Sequence, residues 1–230
     1  MKIDAIVFDK DGTLFDFART WGSFGRSILL RLTQNDGARA AQLGQVIGFD
    51  FDTQCYAQDS IVIAATAAEV ADTLAPHVAD IPRDALIELI NAEAALAPQS
   101  PAVALVSFLE ELRTAGIKLG VATNDSEHPA LQHLESAGIR EHFDFIAGYD
   151  SGHGFKPGPG QLLAFAAHVG VDPSRVAMVG DSLHDLQAGR AAGMVTIGVL
   201  TGLAGADVLA PMADVVLPDI GHIPGWLSEN

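Results

Sequence analysis

Asp9 and Asp11 lie two residues apart at the end of a short apolar run, in the stretch IDAIVFDKDGTLF of residues 3–15. Two carboxylates so close repel each other unless a cation or a shared proton stands between them. The pair therefore points to a metal site with a possible carboxylate nucleophile. Asp-x-Asp-Gly also makes ordinary turns, because Asp and Gly are turn formers. A calcium loop fails on count. Reckoned from Asp9, its sixth position should be Gly and is Leu14, and its twelfth should be acidic and is Thr20.

More polar groups follow apolar runs further along. Thr123 and Asn124 come after residues 117–122, and Lys156 lies in the glycine- and proline-containing loop 150–160. Asp181, with Asp185 four residues on, comes after residues 175–179. Singly, each has an ordinary reading. Thr-Asn is a usual helix cap, a lysine in a glycine loop is usually solvated, and Asp185 could complement a helix dipole. Together they form a stronger signal if the preceding runs are parallel strands of one sheet. Every one of these ends then falls on one edge, where open α/β sheets hold ligands.

The surrounding pattern supplies such a sheet. Residues 3–8 read as a buried strand, after which Gly12 and Thr13 turn the chain away. Residues from about 16 to about 98 read as helical. Trp21, Phe24, Ile28, Leu29 and Leu32 have helical spacing within 17–32, and 36–46 is alanine-rich. Turn residues break the pattern at 48–53, and it resumes over 61–74 and 82–96. From Ala102 onward, apolar runs at 117–122, 143–147, 175–179, 194–200 and 215–217 alternate with helical segments at 102–114, 129–136, 161–169 and 184–192. This alternation predicts a parallel α/β sheet with helices on both faces. The expected organisation is an α/β core of residues 1–15 and 99–230, carrying an all-helical insertion, 16–98, that folds as its own unit.

A chain of 230 residues with 49% apolar and 18% charged residues is a folded globular protein. Its formal charge of −16 argues against nucleic acid or an anionic membrane as partner. It does not argue against a small phosphorylated ligand, because a local cation outweighs the far field. Cys55 is the single cysteine, so no intrachain disulfide forms, and it lacks the neighbours of a metal knot. No leader-like segment and no apolar run of membrane-spanning length is visible, so a cytoplasmic location is expected. Monomer and homodimer both stay open.

With Asp9-Lys10-Asp11-Gly12-Thr13-Leu14, Thr123-Asn124, Lys156-Pro157, and Gly180-Asp181 with Asp185 in this order, the chain resembles the haloacid dehalogenase superfamily of phosphohydrolases. The resemblance covers essentially the whole chain. It is to the subgroup with a helical cap inserted after the first motif, and phosphoglycolate-phosphatase-like enzymes look nearest. It implies a Rossmann-like core and a magnesium-dependent phosphatase acting on a small phosphorylated metabolite through an aspartyl-phosphate. Asp9 would then be the nucleophile, and Asp11 the general acid and base. Asp9, the Asp11 backbone carbonyl and Asp181 would hold Mg2+. Asp185 would orient bound water or Lys156. Thr123, Lys156 and N–H groups near Gly12 and Asn124 would hold the phosphoryl oxygens.

Asp11 also separates reaction classes within the resemblance. Dehalogenating relatives lack the second aspartate, ion pumps carry threonine there, and phosphonate-cleaving relatives have a small residue and use a cap lysine. Residues 16–98 contain no lysine. Two rivals remain. One is a sugar phosphomutase of the β-phosphoglucomutase kind, and the other is a non-catalytic phosphate-ligand binding or regulatory protein on the same fold.

The chain departs from the family pattern at two positions. Lys10 replaces a hydrophobic residue and is expected to leave the nucleophile's geometry alone. Asp125 stands where many phosphoglycolate phosphatases have lysine, which argues against phosphoglycolate itself. Arg19 and Arg26 are candidates for a substrate carboxylate, but solvated helix arginines are the plainer expectation. Trp21 and Phe24 read as cap core, and residues 48–59 as a candidate specificity loop. His153 and His184 read as rim residues, because magnesium prefers oxygen.

Overall fold

The computed structural model describes residues 2–57, 59–63 and 65–229. Strand β1 (Ala5–Phe8) is buried along its whole length, as a continuous apolar run at the centre of a parallel sheet should be. Helix α1 (Phe17–Leu32) starts where the Asp16 carboxylate accepts the Arg19 N–H, and α2 (Gly37–Val46) starts in the same way on Asp36. Two short strands, β2 (Phe49–Asp50) and β3 (Cys55–Tyr56), pair antiparallel. At two residues each, they are too short to show an alternation. Residues 61–63 form a 3-10 turn, so α3 begins only at its Thr66–Glu69 capping box and covers Ala67–Leu74. Helix α4 (Arg83–Ala95) follows Pro82.

The α/β alternation then runs α5 (Leu105–Thr114), β4 (Lys118–Ala122), α6 (Glu127–Ser136), β5 (Phe145–Ala147), α7 (Gly160–Val169), β6 (Val176–Gly180), α8 (Leu183–Ala191) and β7 (Val195–Val199). It closes with α9 (Ala206–Leu209), β8 (Val215–Leu217) and α10 (Ile223–Glu229). The two last helices, α9 and α10, are too short to carry a periodic signal.

The sheet order is β5-β4-β1-β6-β7-β8, and every pairing is parallel. Strand β1 therefore lies between β4 and β6, with Phe8 level with Val121 on one side and Val179 on the other. That register places the segments after Phe8, Ala122 and Gly180 side by side.

One face of the sheet packs Phe8, Val121, Val179 and Ile197 against Phe108 and Leu109 of α5. The other packs Val7, Val176 and Met178 against Leu162 and Phe165 of α7. Residues between 17 and 97 have a separate core around Trp21, Phe24, Leu29, Phe49, Leu74 and Leu86. The chain passes between these cores twice, and the two passages are bonded to each other. Asp16 N–H donates to Ser100 O at 2.8 Å, and Ala102 N–H to Leu14 O at 2.9 Å. Among the described residues no helix is long and apolar enough to cross a membrane.

Candidate active site

Asp9 leaves the end of β1 and is anchored by its N–H, which donates to Val179 O of β6 at 2.8 Å. Lys156 reaches it from the β5–α7 loop, although 147 residues separate them in sequence. The Lys156 ammonium donates to Asp9 Oδ1 and to Asp185 Oδ1, both at 2.6 Å. The Asn124 side chain holds the lysine's backbone from both sides. Its Nδ2 donates to Lys156 O at 2.8 Å, and its Oδ1 accepts from Lys156 N at 2.9 Å. Asp185 belongs to the first turn of α8. Its Oδ2 accepts from Ser182 N at 3.0 Å and from Ser182 Oγ at 2.6 Å, so one carboxylate caps the helix and orients the lysine.

Asp181 follows β6 and accepts from Thr13 Oγ1 at 3.4 Å. Its carboxylate lies against bare backbone on two sides. A Cβ on Gly12, whose φ is +82°, would fall 2.3 Å from Asp181 Oδ2, and one on Gly202 would fall 1.7 Å from it. Only glycine admits that approach. Thr201 ties the two segments together, donating from Oγ1 to Gly12 O at 2.6 Å.

Asp9, Asp181 and Asp185 each offer an oxygen within 4.8 Å of the others, all three buried. Burial, with Asp185 and Asp11 nearby, pushes the Asp9 carboxyl up to about 7 despite the pull of Lys156. Burial and then the charges of Asp9 and Asp185 lift Asp181 well above the usual carboxylate range. Burial pulls the Lys156 ammonium down, but Asp185 and Asp9 outweigh it and hold it above its ordinary range. Three carboxylates against one ammonium leave a surplus of buried negative charge. A hard divalent cation with oxygen ligands fits such a donor set.

Asp11 has a lysine of its own. Lys10 is fully buried beneath it, with Nζ 2.8 Å from Asp11 Oδ1 and 2.7 Å from Oδ2. The same ammonium lies 3.3 Å from Asp125 Oδ2, 3.0 Å from His133 Nδ1 and 5.4 Å from the centre of the Trp21 ring. An ammonium only donates, so His133 Nδ1 accepts and its Nε2 carries the proton, which goes to Ala94 O at 2.8 Å. Burial and the adjacent Lys10 press His133 down to about 4. Burial lifts Asp125 to about 6 against the pull of Lys10. Lys10 itself is lowered by burial but raised further by Asp11 and Asp125, ending above its ordinary range.

Lys10 thus bonds Asp11 rather than Asp9, a role the sequence reading did not foresee. A signal was present. Lysine where the family has a hydrophobic residue, and aspartate where many relatives have lysine, compensate each other across 3.3 Å.

Thr123 and Asn124 follow β4 beside this group. Thr123 Oγ1 accepts from Asp125 N at 3.0 Å, and its carbonyl accepts from Gln161 Nε2 at 2.9 Å. A cleft of about 80 Å³ opens over Asp9, Asp11, Thr123, Asn124, Lys156 and Asp185. All the sequence-identified side chains except that of Asp181 line it, and Asp181 adjoins Asp9 and Asp185, with oxygens within 4.8 Å of theirs. Trp21 and Phe24, read as cap core, are buried and also form its wall.

The two candidate arginines, Arg19 and Arg26 of α1, stand elsewhere. Arg19 is exposed beside Asp16, and Arg26 stacks at 4.4 Å on Phe51 and donates to the Phe51 carbonyl at 3.3 Å. Of the candidate specificity loop 48–59, none of the described residues lines this cleft, and Gln58 lies outside the described residues. Val62 and Ile63, just beyond the loop, line it instead. His184 is on the cleft, whereas His153 packs near Phe145 at 5.9 Å.

The model of the haloacid dehalogenase-like hydrolase family matches residues 3–193. A phosphoglycolate phosphatase of Agrobacterium fabrum is 32% identical over 227 residues, covering 97% of this chain and 92% of that protein. A phosphoglycolate phosphatase of Neisseria meningitidis is 37% identical over 115 residues, 49% of this chain and 48% of that one, so this match spans about half of each. The crystal structure of a predicted phosphoglycolate phosphatase from Haemophilus somnus superposes with a TM-score of 0.75 at 19% identity, covering 98% of both chains.

Proposed function

The chain belongs to the family of haloacid dehalogenase-like hydrolases, and we propose that it hydrolyses a small-metabolite phosphomonoester through an aspartyl-phosphate on Asp9. The observation that carries this reading is the setting of Asp9. It is a buried carboxylate on the floor of a cleft, bonded to Lys156 at 2.6 Å, with Asp11 on the same cleft. Attack by Asp9 on phosphorus divides one hard displacement into two easier ones. Asp11 gives its proton to the leaving alcohol and takes one back from the water that releases phosphate. The Lys156 ammonium, with the N–H at Asn124 and the Thr123 hydroxyl, balances charge on the phosphoryl oxygens. The Gly12 N–H, expected from the sequence to join them, instead donates to Phe15 O at 2.7 Å and closes the turn after Asp11.

Asp9, Asp181 and the Asp11 carbonyl would hold Mg2+, with Asp185 orienting Lys156 from behind. The ion, when bound, supplies charge neutralisation at the phosphate. Residues 16–98 serve as a cap over residues 1–15 and 99–230, excluding water from the cleft. Their separate core and the paired passages at 14–16 and 100–102 support that division.

The test is phosphate release from a panel of small phosphoesters by wild type and Asp9→Asn, with Mg2+ and with a chelator. Release that needs Mg2+ and vanishes in Asp9→Asn is expected. Conversion of a sugar phosphate to its isomer without net release would replace the phosphatase by a mutase. Stoichiometric ligand binding without turnover would replace it by a binding protein.

A further inference from the structure

Resting on the phosphatase reading, we infer that the substrate's organic part carries no carboxylate. It is instead uncharged and largely apolar, with one hydrogen-bond acceptor for the Trp21 indole. The phosphoryl end of any substrate is set by Asp9 and Lys156, so the remainder must extend toward Asp11 and the opposite wall. That wall is built from α1, the segment 62–70 and α4, and presents Trp21, Phe24, Val62, Ile63, Val70 and Ile90. It holds no cation.

Recognition of a carboxylate in a desolvated cleft calls for a positive partner, best a bidentate arginine. The five arginines of residues 16–98 are engaged or placed elsewhere. Arg19 is beside Asp16, and Arg26 is on Phe51. Arg31 bonds Glu93, and Arg83 bonds Asp72 through two nitrogens. Arg39 lines a separate groove with His77. Of the two lysines at the site, Lys10 is fully buried under Asp11 and Asp125, and Lys156 serves the phosphoryl end. The remaining basic side chain among the described residues of the cleft, His184, is on α8 beside Asp185, not on the wall opposite Asp9.

What the cleft does offer a second anion is repulsion. Asp11 and Asp125 both line it, and a substrate carboxylate placed between them and an apolar wall would lose its hydration without compensation. One polar atom of the wall points to what is accepted. Trp21 is 7% exposed, and its Nε1 is buried with no hydrogen-bond partner. A buried donor left unpaired is costly, and an ether, carbonyl or hydroxyl oxygen on the ligand would satisfy it. Phosphoglycolate, the substrate in the names of the Agrobacterium and Neisseria relatives, has a carboxylate at this end and fits poorly.

The experiment compares kcat/KM of the Mg2+-loaded wild type on matched esters: phosphoglycolate against ethyl phosphate, then propyl, butyl and 2-methoxyethyl phosphate. Ethyl phosphate should exceed phosphoglycolate by about ten-fold or more, and each further methylene should add about four-fold until the wall is filled. Trp21→Phe should lower kcat/KM for 2-methoxyethyl phosphate about ten-fold more than for the isosteric butyl ester. Phosphoglycolate turned over better than ethyl phosphate would overturn the inference and leave the phosphatase standing. Equal losses on both esters in Trp21→Phe would remove the acceptor from it. No phosphate from any ester would take down the phosphatase reading and this one together.

Discussion

Lowering the pH from 8 to 5 should cost the fold about 2 kcal/mol through His133 alone. His133 is 1% exposed and is held as a neutral ring, accepting from Lys10 at Nδ1 and donating to Ala94 O from Nε2. Protonation would remove the acceptor and set two cations 3.0 Å apart. Burial and Lys10 therefore bring the ring down to about 4, whereas an unfolded chain leaves it near the ordinary value of about 6.5. A group depressed on folding stabilises fully above its unfolded pKa, and that contribution is lost as the pH falls toward the folded one. The whole difference is worth about 3 kcal/mol, of which about 2 has gone by pH 5.

Asp9, Asp125 and Asp181 are raised by burial and act in the opposite sense, so the wild-type curve alone mixes both effects. His133→Gln separates them. Glutamine offers an acceptor to Lys10 and a donor to Ala94 but does not titrate. Urea unfolding of both proteins, metal-free, at each pH from 8 to 5 gives the wild type's advantage over the variant. That advantage should shrink by about 2 kcal/mol across the range. A constant advantage would show that His133 titrates normally in the fold and that the neutral bridge is wrong.

Other perturbations test the neighbouring contacts. Lys10→Met strips Asp11 and Asp125 of their buried cation and should cost about 3–5 kcal/mol in urea unfolding at pH 8. Adding Asp125→Leu should return about 1–2 kcal/mol of that, and strict additivity would refute the pairing. Gly202→Ala places a methyl group 1.7 Å from Asp181 Oδ2. The Mg2+ concentration for half-maximal activity should rise about ten-fold or more, and an unchanged value would refute the close approach. Asn124→Ala removes both bonds to the Lys156 backbone and should lower kcat/KM by about 100-fold. A loss under about three-fold would mean the loop holds its shape without it.

The convergence of Asp9, Thr123 and Asp181 was legible because strand and helix periods differ, and because parallel strands put all their carboxyl ends on one edge. Lys156 was legible only as a member of that set, since nothing local distinguishes a working lysine from a solvated one. What stayed hidden depends on side-chain direction. Trp21 and Phe24, three apart on α1, announce a buried face. Whether that face meets a core or a cleft depends on how α1 is rolled against α4 and residues 62–70, which no spacing encodes. Lys10 was hidden for the same reason. At the end of β1 its side chain alternates away from Asp9, and its partners Asp125 and His133 come from the end of β4 and from α6. The short β2–β3 ribbon was beyond reach because two-residue strands have no period.

Two buried lysines divide the acidic residues of the site, and the division explains why each is needed. Lys156 faces Asp9 and Asp185, with Asp181 adjoining, a set left with enough negative charge to take a divalent ion. Lys10 faces Asp11 and Asp125, and its remaining donor capacity goes to a neutral histidine. The second set holds Asp11 without drawing on Lys156, which is bonded to Asp9 and Asp185. It is also fastened to α4, because His133 Nε2 ends on Ala94 O and Ser126 Oγ donates to Asn91 Oδ1 at 3.0 Å. Helix α4 supplies Ile90 and Ala94 to the cleft wall. Withdrawing it would leave the buried His133 N–H unpaired, at a cost of about 1–3 kcal/mol, and would loosen the histidine against which Lys10 is braced. The apolar wall of the cleft and the Asp11 carboxylate are therefore held by one chain of hydrogen bonds, from α4 through His133 and Lys10 to Asp11.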